Sequence, residues 1–225
     1  MKIETYQLLE KYMLSCMKDS AHDKEHIYRV LYNALNIASA EVYVDYDVLI
    51  TSCLLHDIAR QEQHENPEIC HALAGAEKAY YFLIEHGFED EFATRVKKCI
   101  ATHRFRKSMQ PESIEAKILF DADKLDVTGA IGIARTLLYQ GAEAEPLYTM
   151  LPDGTVSDGT DDVIPSFFRE YKKKLEHIDH TLYTEKAKRI AAEKKIAADR
   201  FYASLYGEVK NSYEGGILLL EGLLL

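Results

Sequence analysis

The spacing of apolar side chains follows the period of an α-helix over nearly the whole chain. Apolar residues recur every three or four positions, and no stretch alternates between apolar and polar residues from one turn signal to the next. The predicted helices cover residues 8–16, 22–41, 48–57, 67–86, 89–104, 112–123, 125–140, 166–177 and 184–206. We therefore predict an all-α fold, a helical bundle that forms a single domain over residues 1–225.

Polar residues that favour helix starts lie between the first three predicted helices. Ser20 or Asp23 can cap the second helix, and Asp45 or Asp47 can cap the third. Residues 60–67 are polar and interrupt the helical pattern before the next helix begins.

Two segments late in the chain depart from the helical pattern. Residues 141–165 contain three prolines and three glycines, so they read as a long loop, which makes them a candidate lid or insertion. Residues 216–225 form an apolar tail that is too short to span a membrane. We expect this tail to dock on the body of the protein or on a partner subunit, which leaves a homo-oligomer open.

The balance of charges narrows the class of partner. The chain has 27 Lys and Arg against 37 Asp and Glu, a formal net charge of −10, which argues against a nucleic-acid polymer or an anionic membrane as partner. The four cysteines are widely separated, and residues 1–5 lead into no signal-peptide core. We therefore expect a cytoplasmic protein, in which a small anion binds only with the help of a cation.

A histidine and an aspartate stand side by side at the end of the apolar run 48–55. Burying His56 and Asp57 without a partner would be costly, and a divalent cation would remove that cost. Neighbouring positions on a helix differ by about 100° in direction, so both side chains can reach only a point close to the helix. The remaining ligands of such a cation must come from elsewhere in the chain.

Two further places in the sequence could supply them. His26 shares the inward face of its helix with Val30, although a lone inward histidine is more often an ordinary core residue. Residues 121–126 contain three acids and a lysine, and Asp121 and Asp123 point about 200° apart on a helix. We expect one acid to face inward and the others to face solvent or to cap the next turn, and a plain helix boundary explains these residues equally well.

The order of His26, the adjacent pair His56 and Asp57, and the distant Asp123 resembles the HD superfamily of metal-dependent phosphohydrolases. The resemblance runs over about residues 15–206, with a metal-site core at about 20–140 and C-terminal helices at 166–206. It implies that these four residues are the metal ligands, with Asp123 chosen because the last ligand of the family directly precedes a basic residue. Such a ligand set suits Mn²⁺, Mg²⁺, Fe²⁺ or Co²⁺, and leaves Zn²⁺ and Ni²⁺ open.

The same resemblance suggests roles for residues near these ligands. His71 and His103 lie where two-metal relatives bind a second metal, and capping or solvated histidines are the alternative reading. We expect Asp57, His71 and His103 to be catalytic: Asp57 orients the attacking water, and the two histidines stabilise a phosphate or protonate a leaving group. Arg104 and Lys124 are the candidate substrate-binding residues, with Arg106 and Lys107 as further members of a phosphate clamp.

The resemblance implies a metal-dependent phosphohydrolase that acts on a small phosphorylated substrate, most simply a nucleotide. Small bacterial relatives favour pyrophosphohydrolysis of nucleoside triphosphates. Two alternatives remain open: a di-iron oxygenase of the same superfamily, and a non-catalytic module that senses nucleotides.

Overall fold

The computed structural model of the protein describes residues 1–17, 24–104, 106 and 108–224. The chain divides into two compact units, of which the first contains Met1–Asp126 with Tyr183–Ala187 and the second contains Val127–Leu182 with Lys188–Leu225. Over the described ranges the regular structure is helical, apart from an isolated bridge between Met150 and Val156, which confirms the all-α prediction. The single-domain organisation stays a prediction.

The first unit carries seven complete helices in its described part. These are α1 (Ile3–Cys16), α2 (Lys24–Ala38), α3 (Tyr46–Leu55), α4 (Arg60–Glu65), α5 (His71–Glu85), α6 (Asp90–Thr102) and α7 (Ile114–Leu125). The short helix α4 was not expected, because its six residues are all polar and make no apolar stripe. The predicted caps Ser20 and Asp23 lie outside the described residues.

Helix α3 is the buried centre of this unit. Its start is capped by Asp45, whose carboxylate accepts hydrogen bonds from the backbone N–H groups of Asp47 and Val48. Most of the helix is buried, and it packs against α1, α2, α5, α6 and α7. A helix that is apolar on all sides is surrounded by other elements. The two residues that follow its last turn, His56 and Asp57, are also buried.

The chain turns after Leu55, and α5 passes close to this turn at Gly75. A Cβ atom built at Gly75 would lie 3.5 Å from the carbonyl oxygen of His56 and 3.7 Å from the Cβ of Ala59. Both distances are ordinary van der Waals contacts, so the approach of α5 to this turn leaves space for a Cβ atom.

The second unit contains α8 (Gly129–Ala142), α9 (Phe167–Lys173), a 3-10 helix (Leu175–Thr181) and most of α10 (Glu185–Leu223). Its core is an aromatic cluster in which Phe167, Phe168, Tyr171 and Tyr202 are buried. The residues between α8 and α9 form no helix, as expected for the predicted loop at 141–165.

Two predicted helices of this region are interrupted. The helix predicted over 125–140 breaks before α8, which begins at Gly129 with a φ of +65°, a backbone conformation that favours glycine. The helix predicted over 166–177 ends at Lys173 and gives way to the 3-10 helix.

Helix α10 continues well past the predicted end at Tyr206 and includes most of the apolar tail. Leu218, Leu219 and Leu223 on it are 72%, 71% and 82% exposed. Docking of the tail on the body of the protein or on a partner subunit stays a prediction. Within the part of the chain that the structure describes, none of the helices has the length and apolarity required to cross a bilayer.

Candidate metal centre

Six side chains from five segments of the first unit converge on one buried place. They are His26 on α2, His56 and Asp57 in the turn after α3, His71 at the start of α5, His103 just after α6, and Asp123 on α7. All are buried except Asp123, which is partly buried. The four residues that the resemblance implied as ligands lie together, and both further histidines join them.

The carboxylate of Asp57 lies in the middle of this group. Its Oδ2 atom is 3.7 Å from His26 Nε2 and 3.8 Å from His56 Nε2. Its Oδ1 atom is 3.5 Å from His71 Nε2 and 3.6 Å from His103 Nε2. The two oxygens of one aspartate therefore face two different pairs of histidines.

The ligand atoms form two triads. One consists of His26, His56 and Asp123, and the other of Asp57, His71 and His103; within each triad the ligand atoms lie within 4.8 Å of one another. Both triads combine imidazole nitrogens with a carboxylate oxygen, a donor set that suits divalent transition metals. The described side chains at this centre therefore offer a donor set that could hold a metal ion.

Each histidine turns its Nδ1 atom away from the centre towards a hydrogen-bond acceptor. His56 Nδ1 lies 2.8 Å from the carbonyl oxygen of Cys53, and His103 Nδ1 lies 2.6 Å from that of Ile100. A carbonyl oxygen can only accept, so in both rings Nδ1 carries the proton. The Nε2 atom of each ring then presents a lone pair to the centre.

The other two histidines are held by side chains. His26 Nδ1 lies 2.7 Å from Asp126 Oδ2, and His71 Nδ1 lies 2.5 Å from Gln63 Oε1. A carboxylate can only accept, so the proton of His26 is on Nδ1 and its Nε2 lone pair faces Asp57. His71 Nδ1 contacts both the Gln63 oxygen, an acceptor, and NH1 of Arg60, a donor, at 3.0 Å.

The Nε2 atom of His56 provides the direct test of whether a metal fits. This atom is buried and has no hydrogen-bond partner among the described residues. A buried polar atom without a partner is costly, and such atoms in native proteins call for an explanation. A cation bound at the first triad would supply the missing partner.

Burial sets the charge of these groups. It lowers the pKa of His56 to about 4 and that of His71 to about 3. Burial alone would raise the pKa of Asp57, but the neighbouring His56, His103 and Arg60 hold it well below its usual range. At neutral pH His56 and His71 are thus neutral imidazoles beside the ionised carboxylate of Asp57, the forms that bind metals.

Of the predicted substrate-binding residues, Lys124 lies beside the centre. Its Nζ atom is 2.8 Å from Asp123 Oδ2, which helps to keep the pKa of Asp123 well below its usual range against the effect of burial. Arg104 is exposed, and its charge contributes to the low pKa of His71, after burial and Arg60.

Arg106 is another member of the predicted phosphate clamp. Its guanidinium contacts the thiol of Cys70. Burial raises the pKa of Cys70, but backbone N–H groups at the start of α5 and the Arg106 guanidinium lower it overall. Lys107 lies outside the described residues.

The expectation for the acids of residues 121–126 is wrong, because none of them faces solvent. Asp121 is fully buried and accepts hydrogen bonds from the backbone N–H groups of Tyr183 and Thr184, so it holds the start of α10. Asp126 is also buried and contacts His26 and Arg29. These partners lie far away in sequence, so the local pattern gives no sign of them.

Arg60 is a residue that sequence reasoning missed. Its NH1 atom lies 3.0 Å from His71 Nδ1 and its Nε atom lies 3.9 Å from Asp57 Oδ2, while its side chain is 41% exposed. The only signal was its position three residues after Asp57, which one helical turn would bring to the same side.

Comparison with known proteins agrees with this centre. Residues 24–128 match the family model described as the HD domain. The protein YpgQ of Bacillus subtilis (strain 168), described as uncharacterised, is 33% identical over 135 residues, which cover 58% of this chain and 63% of YpgQ. The chain thus spans less than two thirds of the length of this curated relative.

Two solved structures have a similar fold. The crystal structure of Bacillus subtilis YpgQ in complex with ADP is 26% identical, covers 91% of this chain and 97% of its own, and has a TM-score of 0.70. A predicted HD superfamily hydrolase from an uncultured Thermotogales bacterium is 30% identical, covers 90% of this chain and 91% of its own, and has a TM-score of 0.61. The buried histidines and aspartates together with these relatives show that the chain belongs to the HD superfamily.

Proposed function

We propose that this protein is a metal-dependent phosphohydrolase whose substrate is a small phosphorylated compound, namely a nucleotide. The observation that carries the proposal is the convergence of four imidazole Nε2 atoms on the carboxylate of Asp57. The presence of ADP in the YpgQ crystal structure supports a nucleotide as the substrate class. Among the possible reactions we favour pyrophosphohydrolysis of a nucleoside triphosphate.

The proposed ligands are His26, His56, Asp57 and Asp123, with His71 and His103 completing the second triad. When bound, a divalent cation polarises a phosphoryl oxygen and makes a water molecule more acidic. Mn²⁺, Mg²⁺, Fe²⁺ and Co²⁺ are the proposed metals, and the nitrogen-rich donor set also accommodates Zn²⁺ or Ni²⁺.

Asp57 is the proposed positioning group for the attacking water. An ionised carboxylate at this place accepts a hydrogen bond from water and directs its oxygen towards phosphorus. The water oxygen forms the new bond to phosphorus, the bond to the leaving oxygen breaks, and the leaving group takes up a proton. Burial lowers the pKa of His71 to about 3, so its ring is neutral at pH 7 and a role as ligand fits it better than that of proton donor.

Arg60 and Lys124 are proposed to bind the phosphate groups of the substrate. Both are cations beside the carboxylates of the centre, and Arg60 is partly exposed, so a ligand can reach it. Arginine forms two parallel hydrogen bonds with a phosphate, which orients the phosphorus as well as attracting its charge. Arg104 adds positive charge near His71. We also propose that this enzyme acts in the cytoplasm.

The test is a screen for phosphate and pyrophosphate release across a panel of nucleotides, each with several divalent ions. We expect His56→Ala and Asp57→Ala to lose bound metal and hydrolysis while helical content is largely retained. His180→Ala serves as the control, because the side chain of His180 is 76% exposed. Full activity of both His56→Ala and Asp57→Ala would contradict the proposal.

A second candidate function follows from the second triad. Because His71, His103 and Asp57 lie together, the centre could hold two irons and consume oxygen, as in a di-iron oxygenase. Metal analysis with an oxygen electrode distinguishes the two functions: two irons per chain and oxygen uptake would favour the oxygenase. Tight nucleotide binding with no turnover under any ion would instead favour a sensing module.

A further inference from the structure

The carboxylate of Asp126 is shared between a residue of the metal centre and a nearby arginine. Its Oδ2 atom lies 2.7 Å from His26 Nδ1, and its Oδ1 atom lies 2.7 Å from Arg29 Nε. A second guanidinium nitrogen, NH2, lies 3.1 Å from Oδ2, so Arg29 holds both oxygens of the carboxylate. The side chain of Asp126 is 1% exposed.

This arrangement leaves the imidazole of His26 one orientation and one tautomer. The guanidinium only donates, so the carboxylate accepts from Arg29 and accepts from the ring as well. The proton of His26 is then on Nδ1, and Nε2 faces the centre, 3.4 Å from Asp123 Oδ1 and 3.7 Å from Asp57 Oδ2. Rotation of the ring would break the contact with Asp126.

The acceptor behind His26 differs chemically from those behind the other three histidines. His56 and His103 are held by neutral backbone carbonyl oxygens. His71 Nδ1 contacts the neutral amide oxygen of Gln63 and the guanidinium of Arg60, which is a donor. A carboxylate accepts a stronger hydrogen bond than a neutral oxygen and makes the opposite ring nitrogen a better electron donor. His26 is thus the one histidine of the centre whose ring is backed by an aspartate.

We propose that Asp126, held in place by Arg29, is a positioning residue that prepares His26 to bind the metal. The inference rests on the proposed metal-dependent function, because it assigns a role to a residue that supports a ligand. It explains why residues 121–126 contain a third acid and why an arginine stands three positions after His26.

The test measures binding of Mn²⁺ alone by calorimetry, with no substrate present. We expect Asp126→Ala and Asp126→Asn to weaken Mn²⁺ binding by about 10–100-fold, the usual cost of losing a group that supports a ligand. Arg29→Lys, which keeps the charge but loses the paired geometry, should retain more affinity than Arg29→Ala. Asp126→Asn has nearly the same shape as the original residue, so it decides the test if Asp126→Ala does not fold.

A second measurement separates positioning from general support of the fold. Histidine ring ¹⁵N spectra report which nitrogen carries the proton, and the signal of His26 is identified by its loss in His26→Gln. We expect the Nδ1-protonated form in the unchanged protein and a mixture of tautomers in Asp126→Ala. The control is Asp121→Asn, which alters another buried acid of the same segment; it should lower the melting temperature without changing Mn²⁺ affinity or the tautomer of His26.

The results of these two measurements distinguish a wrong role for Asp126 from a wrong metal-dependent function. Unchanged Mn²⁺ affinity and an unchanged tautomer in the Asp126 variants would overturn the inference alone. An equal loss of affinity in Asp121→Asn would also overturn it, since the effect would then be structural. Failure of the unchanged protein to bind any divalent ion would overturn the metal centre and the inference together.

Discussion

Burial of His56 and His71 determines the protonation state on which metal binding depends. The pKa values of about 4 and about 3 keep both rings neutral at pH 7, although an unfolded histidine has a pKa near 6.5. At a pH between the folded and unfolded pKa values, each of these histidines binds a proton in the unfolded chain but not in the folded one. Protons therefore favour unfolding, and they also compete with a metal for the same Nε2 lone pairs.

The metal-free protein should lose stability as the pH falls from 7 to 5. As the pH falls below about 6.5, each of the two histidines becomes protonated in the unfolded chain and stays neutral in the folded one, so each contributes a loss on the order of 1–2 kcal/mol in the free energy of unfolding. Urea unfolding at both pH values in the presence of a chelator measures this. His56→Asn should show a smaller loss, and His180→Gln the same loss as the unchanged protein. Equal stability at pH 5 and pH 7 would contradict the burial argument.

At the scale of elements, the metal centre depends on how closely helices approach the turn after α3. At Gly75, where α5 passes beside His56, an added Cβ would have ordinary van der Waals spacing from its neighbours. Gly132 on α8 is in a different situation, because a Cβ there would lie 2.3 Å from the carbonyl carbon of Val127. Close packing of the backbone therefore requires glycine at position 132 but leaves space for a Cβ at position 75.

Alanine at these two positions should give opposite results. Gly75→Ala adds a Cβ that meets no atom closer than 3.5 Å, and alanine favours the helix interior by about 1 kcal/mol, so we expect unchanged or higher stability. Gly132→Ala forces backbone to move and should cost about 1–3 kcal/mol. Melting temperatures of the two variants check this, and Mn²⁺ affinity should persist in Gly75→Ala. A clear loss of stability in Gly75→Ala would contradict the close but ordinary packing of α5.

At the scale of the whole molecule, the proposed ligands are spread over nearly a hundred residues of chain. A metal that binds His26 and Asp123 together binds the folded state and not the unfolded chain, in which these residues are far apart. Binding energy at the centre therefore becomes folding energy.

Removal of metal should lower the melting temperature of the protein. At a free metal concentration of 100 times the dissociation constant, binding adds about 2.7 kcal/mol, which corresponds to a rise of roughly 5–10 °C for a chain of this size. Thermal melts with Mn²⁺ and with a chelator measure the difference. Asp57→Ala should show no such rise, whereas a rise of the same size in that variant would indicate binding elsewhere.

Deletion of residues 216–225 should leave stability and metal affinity unchanged. The leucines of this tail are exposed in the chain, so their removal uncovers no core. Melting temperature and Mn²⁺ affinity of the shortened protein test this, and gel filtration of both forms reports whether the tail joins subunits. A markedly lower melting temperature would mean that the tail packs against something in solution.

Sequence reasoning predicted the helices from periodicity and proposed the metal ligands from their resemblance to the order of the HD superfamily motif. Residues such as His26 and the pair His56 and Asp57 stand at helix edges in a recognisable order, and they do come together in the structure. Sequence reasoning missed the roles of Arg60, Gln63 and Asp126. Each of them contacts a histidine of the centre, and such a contact produces no periodic pattern in the sequence. Helix α4 and the extension of α10 were missed because neither has an apolar stripe typical of a packed helix.

The amino-acid sequence by itself determined that this protein is helical, that its apolar run ends in a histidine and an aspartate, and that cations and anions of the right kinds are present. These properties are local, since helix periodicity and side-chain chemistry need no distant partner. Only the tertiary structure decided that Asp57 lies between four imidazoles, that Asp121 holds the start of α10, and that Asp126 supports His26. The reason is physical: directions of side chains converge only when helices far apart in the chain have packed against one another.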